Sequence, residues 1–231
     1  MDYYIAATLP NFGERRCAVN LNEAYLDFPL STYAGALTNF GLKRVDVNLV
    51  EEARKLIGAT RYLREANFRE APHILNCITL IKFLYAKRGI WLPKDFLRWL
   101  NFGGEVAQED LCAEDIVFTP GLFQSRSVQG LSIGHVGMMT TPDSIIHADY
   151  RRGVQEVSAR EFFAKYPFSA WRRIVPHWEA VVTCIVPSHL EIETSDDILY
   201  LIEEPERERM RVKTCLMEMA LPPQKLTEEH Q

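Results

Sequence analysis

Three side chains in this sequence are of the types that thiol chemistry needs: Cys77, His135 and His147. Cys77 stands where an apolar helix should begin. Asn76 before it is a good N-cap residue. Ile78, Leu80, Ile81, Phe83, Leu84 and Tyr85 then cover most of the helix surface, which predicts burial nearly all round. Gly89 is placed to end the helix, and Pro93 bars its restart. A thiol in the first turn feels the positive end of the macrodipole, which favours the thiolate. That effect contributes roughly 0.3–1 kcal/mol, or ~2 when partly buried. One pKa unit is about 1.4 kcal/mol, so the helix alone should bring the thiol from about 8.5 to roughly 7–8. Fuller ionisation requires an imidazolium beside it.

Two histidines are candidates for that partner. His135 lies in Gly134-His135-Val136-Gly137, and His147 in Ile145-Ile146-His147-Ala148. The alternation over 133–140 and 144–149, with Thr141-Pro142-Asp143 between, predicts an antiparallel hairpin. In that hairpin residues 135 and 147 lie nearly opposite each other. Cross-strand Cβ atoms are roughly 4.5–5.5 Å apart, so one ring can orient the other. Glycines flanking His135 leave room for a substrate or another backbone. Taken singly, a cysteine is most often a small buried apolar residue and a histidine a satisfied sheet residue. The ordered set of three is a much narrower coincidence.

The elements that would position these groups follow from the rest of the chain. Asp46 to Ile57 reads as a helix capped by Asn48, and Lys94 to Phe102 as a short one. Asp115 to Thr119 and Gly153 to Val157 are strand candidates, with a Ser/Gln/Gly-rich loop over 121–132. Ser158 to Tyr166 reads as a helix opened by the capping box Ser158/Glu161. Trp171 to Pro176 and Ala180 to Val186 are two more strands. Helices first and antiparallel strands second define an α+β domain over 46–186. Residues 1–45, with a candidate strand from Tyr3 to Leu9, read as an accessory segment. Residues 187–231 read as an acidic extension, with a strand expected over Ile198 to Ile202, a helix over 203–219 and a loose end over the last ten residues.

Composition excludes several classes. The segment from Pro187 onward carries 11 acidic and 5 basic residues, whereas the preceding 186 carry 20 and 21. A neutral body lacks the basic face that nucleic-acid binding needs. No apolar run of 18 residues exists, so no membrane span is expected. The N-terminus has no basic region followed by an apolar one, which makes residence in the cytosol the expectation. Five cysteines without a Cys-x-x-Cys pair form neither a zinc spacing nor a disulfide framework. No phosphate-binding glycine loop is present, and no cofactor is expected.

These residues together resemble the NlpC family of papain-fold cysteine peptidases, bacterial cell-wall endopeptidases. The resemblance rests on Asn76-Cys77-Ile78-Thr79 with the ending Gly89-Ile90-Trp91-Leu92-Pro93, on Glu114-Asp115-Ile116-Val117-Phe118, on Gly134 to Met138, and on Ile146-His147-Ala148. Ala53 to Gly58 is similar to the helix that opens the family domain, so coverage runs from about residue 47 to about 186. The resemblance implies a papain-like fold, with Cys77 as nucleophile, His135 as base and His147 as its orienting residue. It also implies a peptide or peptidoglycan-fragment substrate, met in part by Tyr62 and by positions 76 and 78. There the sequence departs from the family, since Asn76 replaces Asp and Ile78 replaces Ser. Asn carries no negative charge and Ile forms no hydrogen bond, so retained thiol chemistry on a changed substrate, or with a changed geometry of recognition, is expected. The expected activity is a thiol amidohydrolase or peptidase working through an acyl-enzyme. An acyltransferase or deamidase using the same groups, and an idle binding module, are the alternatives. The sequence leaves the oligomeric state open.

Overall fold

The computed structural model describes residues 4–22, 26–122, 124–168 and 170–220, with side chains to residue 213 in the last segment. The loose end expected over the last ten residues lies outside them. The chain opens with β1 (Ala7–Thr8), β2 (Arg15–Asn20), α1 (Leu30–Asn39), β3 (Lys43–Val45) and α2 (Leu49–Arg54). Strands β4 (Arg61–Tyr62) and β5 (Ile74–Leu75) pair in parallel just ahead of α3 (Cys77–Lys87). A 3-10 turn over Phe96–Asn101 leads to β6 (Gly104–Glu105) and β7 (Ile116–Thr119). The small hairpin β8 (Arg126–Val128) and β9 (Leu131–Ile133) precedes β10 (His135–Thr141), β11 (Ser144–Asp149) and β12 (Gly153–Ser158). Then come α4 (Ala159–Lys165), β13 (Ala170–Arg173), β14 (Val181–Ile185) and α5 (Ser195–Ala220).

The result is α+β. The main sheet is antiparallel in the order β12-β11-β10-β7-β13-β6. Its pleat sorts side chains by parity. Val136, Met138, Ile146 and Ala148 join Leu80, Ile81 and Leu84 of α3 in the principal core. Met139 and Ile145 face the other way and pack with Phe162 and Tyr166 at α4. The sheet is thus covered by α3 on one face and α4 on the other.

Local signals fix α3 at both ends. The Asn76 side-chain oxygen accepts from the Thr79 amide at 2.8 Å, and Thr79 Oγ1 accepts from the Asn76 amide at 2.8 Å. This is a capping box with threonine in place of the usual glutamate. At the other end Gly89 has φ +80°, its N–H donates to the Ala86 carbonyl, and Ile90 N–H donates to Tyr85. Those two bonds make a Schellman motif. A Cβ on Gly89 would lie 2.5 Å from the Cys17 carbonyl carbon, so only glycine lets β2 cross this close. Residues Thr79 to Ala86 are all buried, as the apolar periphery predicts.

The two ends of the chain form a second layer together. Strands β1, β2, β14 and β3 make a separate antiparallel sheet, covered by α1 and α5 around Val19, Tyr33, Leu37, Ile198 and Ile202. The strand expected over 198–202 is instead the first part of α5. Asp197 accepts from the backbone amides of Glu193 and Thr194 at 2.8 Å, an N-terminal cap. Ile198 and Ile202, four residues apart, are both buried while Tyr200 is exposed, a helical and not an alternating pattern. Pro205 falls on the exposed side, and the helix continues through it.

Candidate active site

Cys77 is the first residue of α3 and is almost fully buried. Burial pushes its thiol up to about 11, against the backbone N–H groups of Val136, Ile78 and Cys77, which pull it down. The expected fall to 7–8 is therefore corrected. The macrodipole and three amides are outweighed, because a thiolate here loses nearly all its water. The Val136 amide at the sulfur also shows that the start of α3 abuts the start of β10.

His135 begins β10, and its Nε2 lies 3.0 Å from Nδ1 of His147 on β11. The observed register pairs Met138 with Ile146 and Met139 with Ile145. Continued toward the open end, it sets Gly137 beside His147, so the two rings are diagonal neighbours and not directly opposed. Diagonal positions stay within reach for rings of this size. Nε2 of His147 lies 3.1 Å from the side-chain amide nitrogen of Gln155, its direct partner on β12. A relay His135–His147–Gln155 thus crosses three strands. Helix α4 covers it: the Tyr166 ring stacks on His135 with centroids 4.3 Å apart, and Phe162 meets His147 edge-on at 5.0 Å. Burial drives the His135 imidazole down to about 3, and the neighbouring His147 adds to this while Asp149 opposes it. Burial likewise takes His147 down to about 4, again opposed by Asp149. Both rings are neutral at pH 7, and so is the thiol.

Cys77 and His135 border one cavity of about 500 Å³, together with Tyr62, Asn76, Ile78 and Tyr166. Pairing of β4 with β5 sets Tyr62 beside Leu75, which brings it to the head of α3. Burial and the nearby Cys77 hold the Tyr62 phenol up at about 12. Ile78 gives the cavity an apolar wall. Asn76 borders it too, but its amide is used internally: Oδ1 accepts from Thr79, and Nδ2 donates to the Arg64 carbonyl at 2.9 Å. The space beside the glycine that precedes His135 is filled by protein. A Cβ on Gly134 would fall 1.9 Å from the Gln124 carbonyl oxygen and 2.6 Å from the Gly121 nitrogen, so glycine there lets the backbone at Gly121 and Gln124 pack against the residue that precedes β10. His147 does not reach the cavity. It borders a smaller space of about 170 Å³ behind the relay.

Sequence reasoning missed Tyr166, Gln155 and Arg64. Gln155 was findable, since it alternates on β12 toward the same face as His147. Tyr166 ends a capped helix, and nothing local says that its ring lies on His135. Among the described residues no group of three or more His, Cys, Asp or Glu is placed to hold a metal ion. No described helix is long and apolar enough to cross a membrane.

No protein-family model matches the chain, and no curated protein sequence matches it. Several solved structures are similar to it. NlpC2 from Trichomonas vaginalis shares 23% identity at a TM-score of 0.44, over 56% of this chain and 48% of that one. An NlpC/P60 family protein from Bacillus cereus shares 21% at 0.44, over 55% and 39%. The NlpC/p60 domain of the peptidoglycan hydrolase SagA shares 21% at 0.42, over 54% and 98%. The match spans less than half the length of the first two. All three carry NlpC in their names.

Proposed function

We propose that the 500 Å³ cavity is the active site of a thiol-dependent amidohydrolase or peptidase. Cys77 is the nucleophile, His135 the base, and His147 the group that orients His135. One observation carries the reading: Cys77 at the head of α3 and His135, backed by His147 at 3.0 Å, border the same cavity. Because thiol and imidazole are neutral at rest, His135 takes the thiol proton as the sulfur attacks, without a standing ion pair. Addition to an amide carbonyl places negative charge on its oxygen, which the backbone N–H groups at the head of α3 meet. Collapse breaks the C–N bond, and His135 returns its proton to the leaving amine. Water then hydrolyses the thioester to acid and free thiol.

Peptide amides, with peptidoglycan fragments first among them, are the substrates to test, because the sequence motifs resemble those of cell-wall endopeptidases. The test incubates the protein with a library of muropeptides, γ-glutamyl amides and acyl esters, and follows products by mass spectrometry. Cleavage by the wild type and none by a folded Cys77→Ala variant is expected. Equal cleavage by both would overturn the proposal.

A further inference from the structure

We infer that Asp149 is a positioning residue of the cysteine site, which acts through Tyr166 to hold the His135 ring and to favour the positive charge that this ring takes up from Cys77. The inference rests on the reading of Cys77 and His135 as nucleophile and base. Asp149 lies two residues beyond His147 on β11, so both side chains stand on the face of the sheet that α4 covers. It is 1% exposed. Its Oδ1 accepts from the Arg151 and Arg152 amides at 2.8 and 3.3 Å, and its Oδ2 accepts from the Tyr166 hydroxyl at 3.0 Å and from Lys165. The Tyr166 ring in turn lies on His135, tilted by 19° from its plane. One phenol therefore joins a buried carboxylate to the base.

Charge is the second part of the role. Thiol and imidazole are both neutral at rest, so attack by the sulfur creates an imidazolium where burial disfavours it. Among the described residues lining the cavity none is acidic. Glu161, Arg151 and Arg152 border the space behind the relay, and all three are exposed. Burial opposes the charge on Asp149, but the bonds from Lys165, the Arg151 amide and Tyr166 outweigh it and bring the carboxyl down to about 2. Lys165 shares that charge, yet its side chain is 41% exposed. Water screens the ammonium, while protein surrounds the carboxylate. At His135, burial and His147 oppose protonation, Asp149 favours it, and Lys165 opposes it more weakly than Asp149 favours it. The Cys77 thiol is governed by burial and three backbone amides and not by Asp149. The carboxylate thus stabilises the imidazolium without an equal cost to the thiolate.

The test is the nitrophenolate burst from 4-nitrophenyl acetate near pH 7, with the signal of Cys77→Ala subtracted. In it the Cys77 sulfur bonds the acetyl carbonyl carbon, the C–O bond to nitrophenolate breaks, and the thiol proton passes to His135. Asp149→Asn keeps the side-chain shape and one acceptor oxygen but removes the charge, and should slow the burst roughly tenfold. Lys165→Gln removes the opposing charge and should quicken it roughly twofold. Opposite signs are the signature, because a purely structural role would slow both. Lys165→Gln, at an exposed side chain, decides the matter alone if Asp149→Asn does not fold. A burst that either substitution leaves unchanged, or that both slow, would overturn the inference and leave the nucleophile reading intact. A wild-type burst equal to that of Cys77→Ala would overturn that reading, and the inference with it.

Discussion

Titrating Cys77 should show an ionisation delayed to about pH 11. Against an ordinary thiol near 8.5, a rise of about two units or more disfavours the thiolate by ~3 kcal/mol. The helix N-terminus returns at most ~2 kcal/mol, so the loss of water wins. At pH 7 about one molecule in ten thousand then carries the thiolate. The assay is the ultraviolet absorbance of the thiolate as a function of pH, wild type minus Cys77→Ala. Subtraction isolates Cys77, because burial also raises Cys17 to about 12 and Cys184 to about 11. The difference should stay flat through neutral pH and rise only in the alkaline range. A step below about pH 8 that vanishes in Cys77→Ala would refute the argument, and would mean that a standing thiolate–imidazolium pair overcomes burial.

Two other expectations follow from the relay. Burial depresses His135 and His147 to about 3 and about 4, so below about pH 6.5 the unfolded chain binds more protons than the folded one. Stability should therefore fall as pH drops through that window, by several kcal/mol near pH 4. Denaturant melts of wild type and His147→Gln check this, and a slope that the substitution leaves unchanged would contradict it. Gln155 acts as a positioning residue. With its amide nitrogen donating to His147 Nε2, the proton of His147 sits on Nδ1 and the His135 proton is held on Nδ1 as well. Turning the amide over reverses the chain and frees His135 Nδ1 to act as a base. Gln155→Ala should lower kcat about 2- to 12-fold, the worth of one hydrogen bond. Gln155→Glu, which can only accept, should restore it and move the acid limb of the pH profile upward. Equal kcat and equal pH profiles in all three would exclude the role.

Much of this site is legible in the sequence because its signals are local. The Asn76 cap, the Gly89 stop and the apolar periphery of α3 each act within a few residues, and each is found in the structure. The hairpin of β10 and β11 follows from alternation and one turn. What is not legible depends on distant parts of the chain. The second sheet joins β2 to β14 across most of the sequence, and no short-range pattern encodes that pairing. The strand expected over 198–202 failed because Ile-Leu-Tyr-Leu-Ile is apolar at both periods, and the Asp197 cap decides for helix. The acidity of Cys77 was misjudged for the same reason. Spacing reveals the helix end, but the water excluded by β10 and the packed core is a tertiary property.

The central claim is that Cys77 forms a thioester with substrate. Its most direct test is rapid mixing with a cleavable substrate from the library, followed by acid quench and intact-protein mass measurement. The account predicts a transient mass increase equal to the acyl fragment, located on the Cys77 peptide and removed by hydroxylamine. The increase should be absent in Cys77→Ala and slow to form in His135→Ala. Turnover with no adduct at Cys77, undiminished in Cys77→Ala, would contradict it.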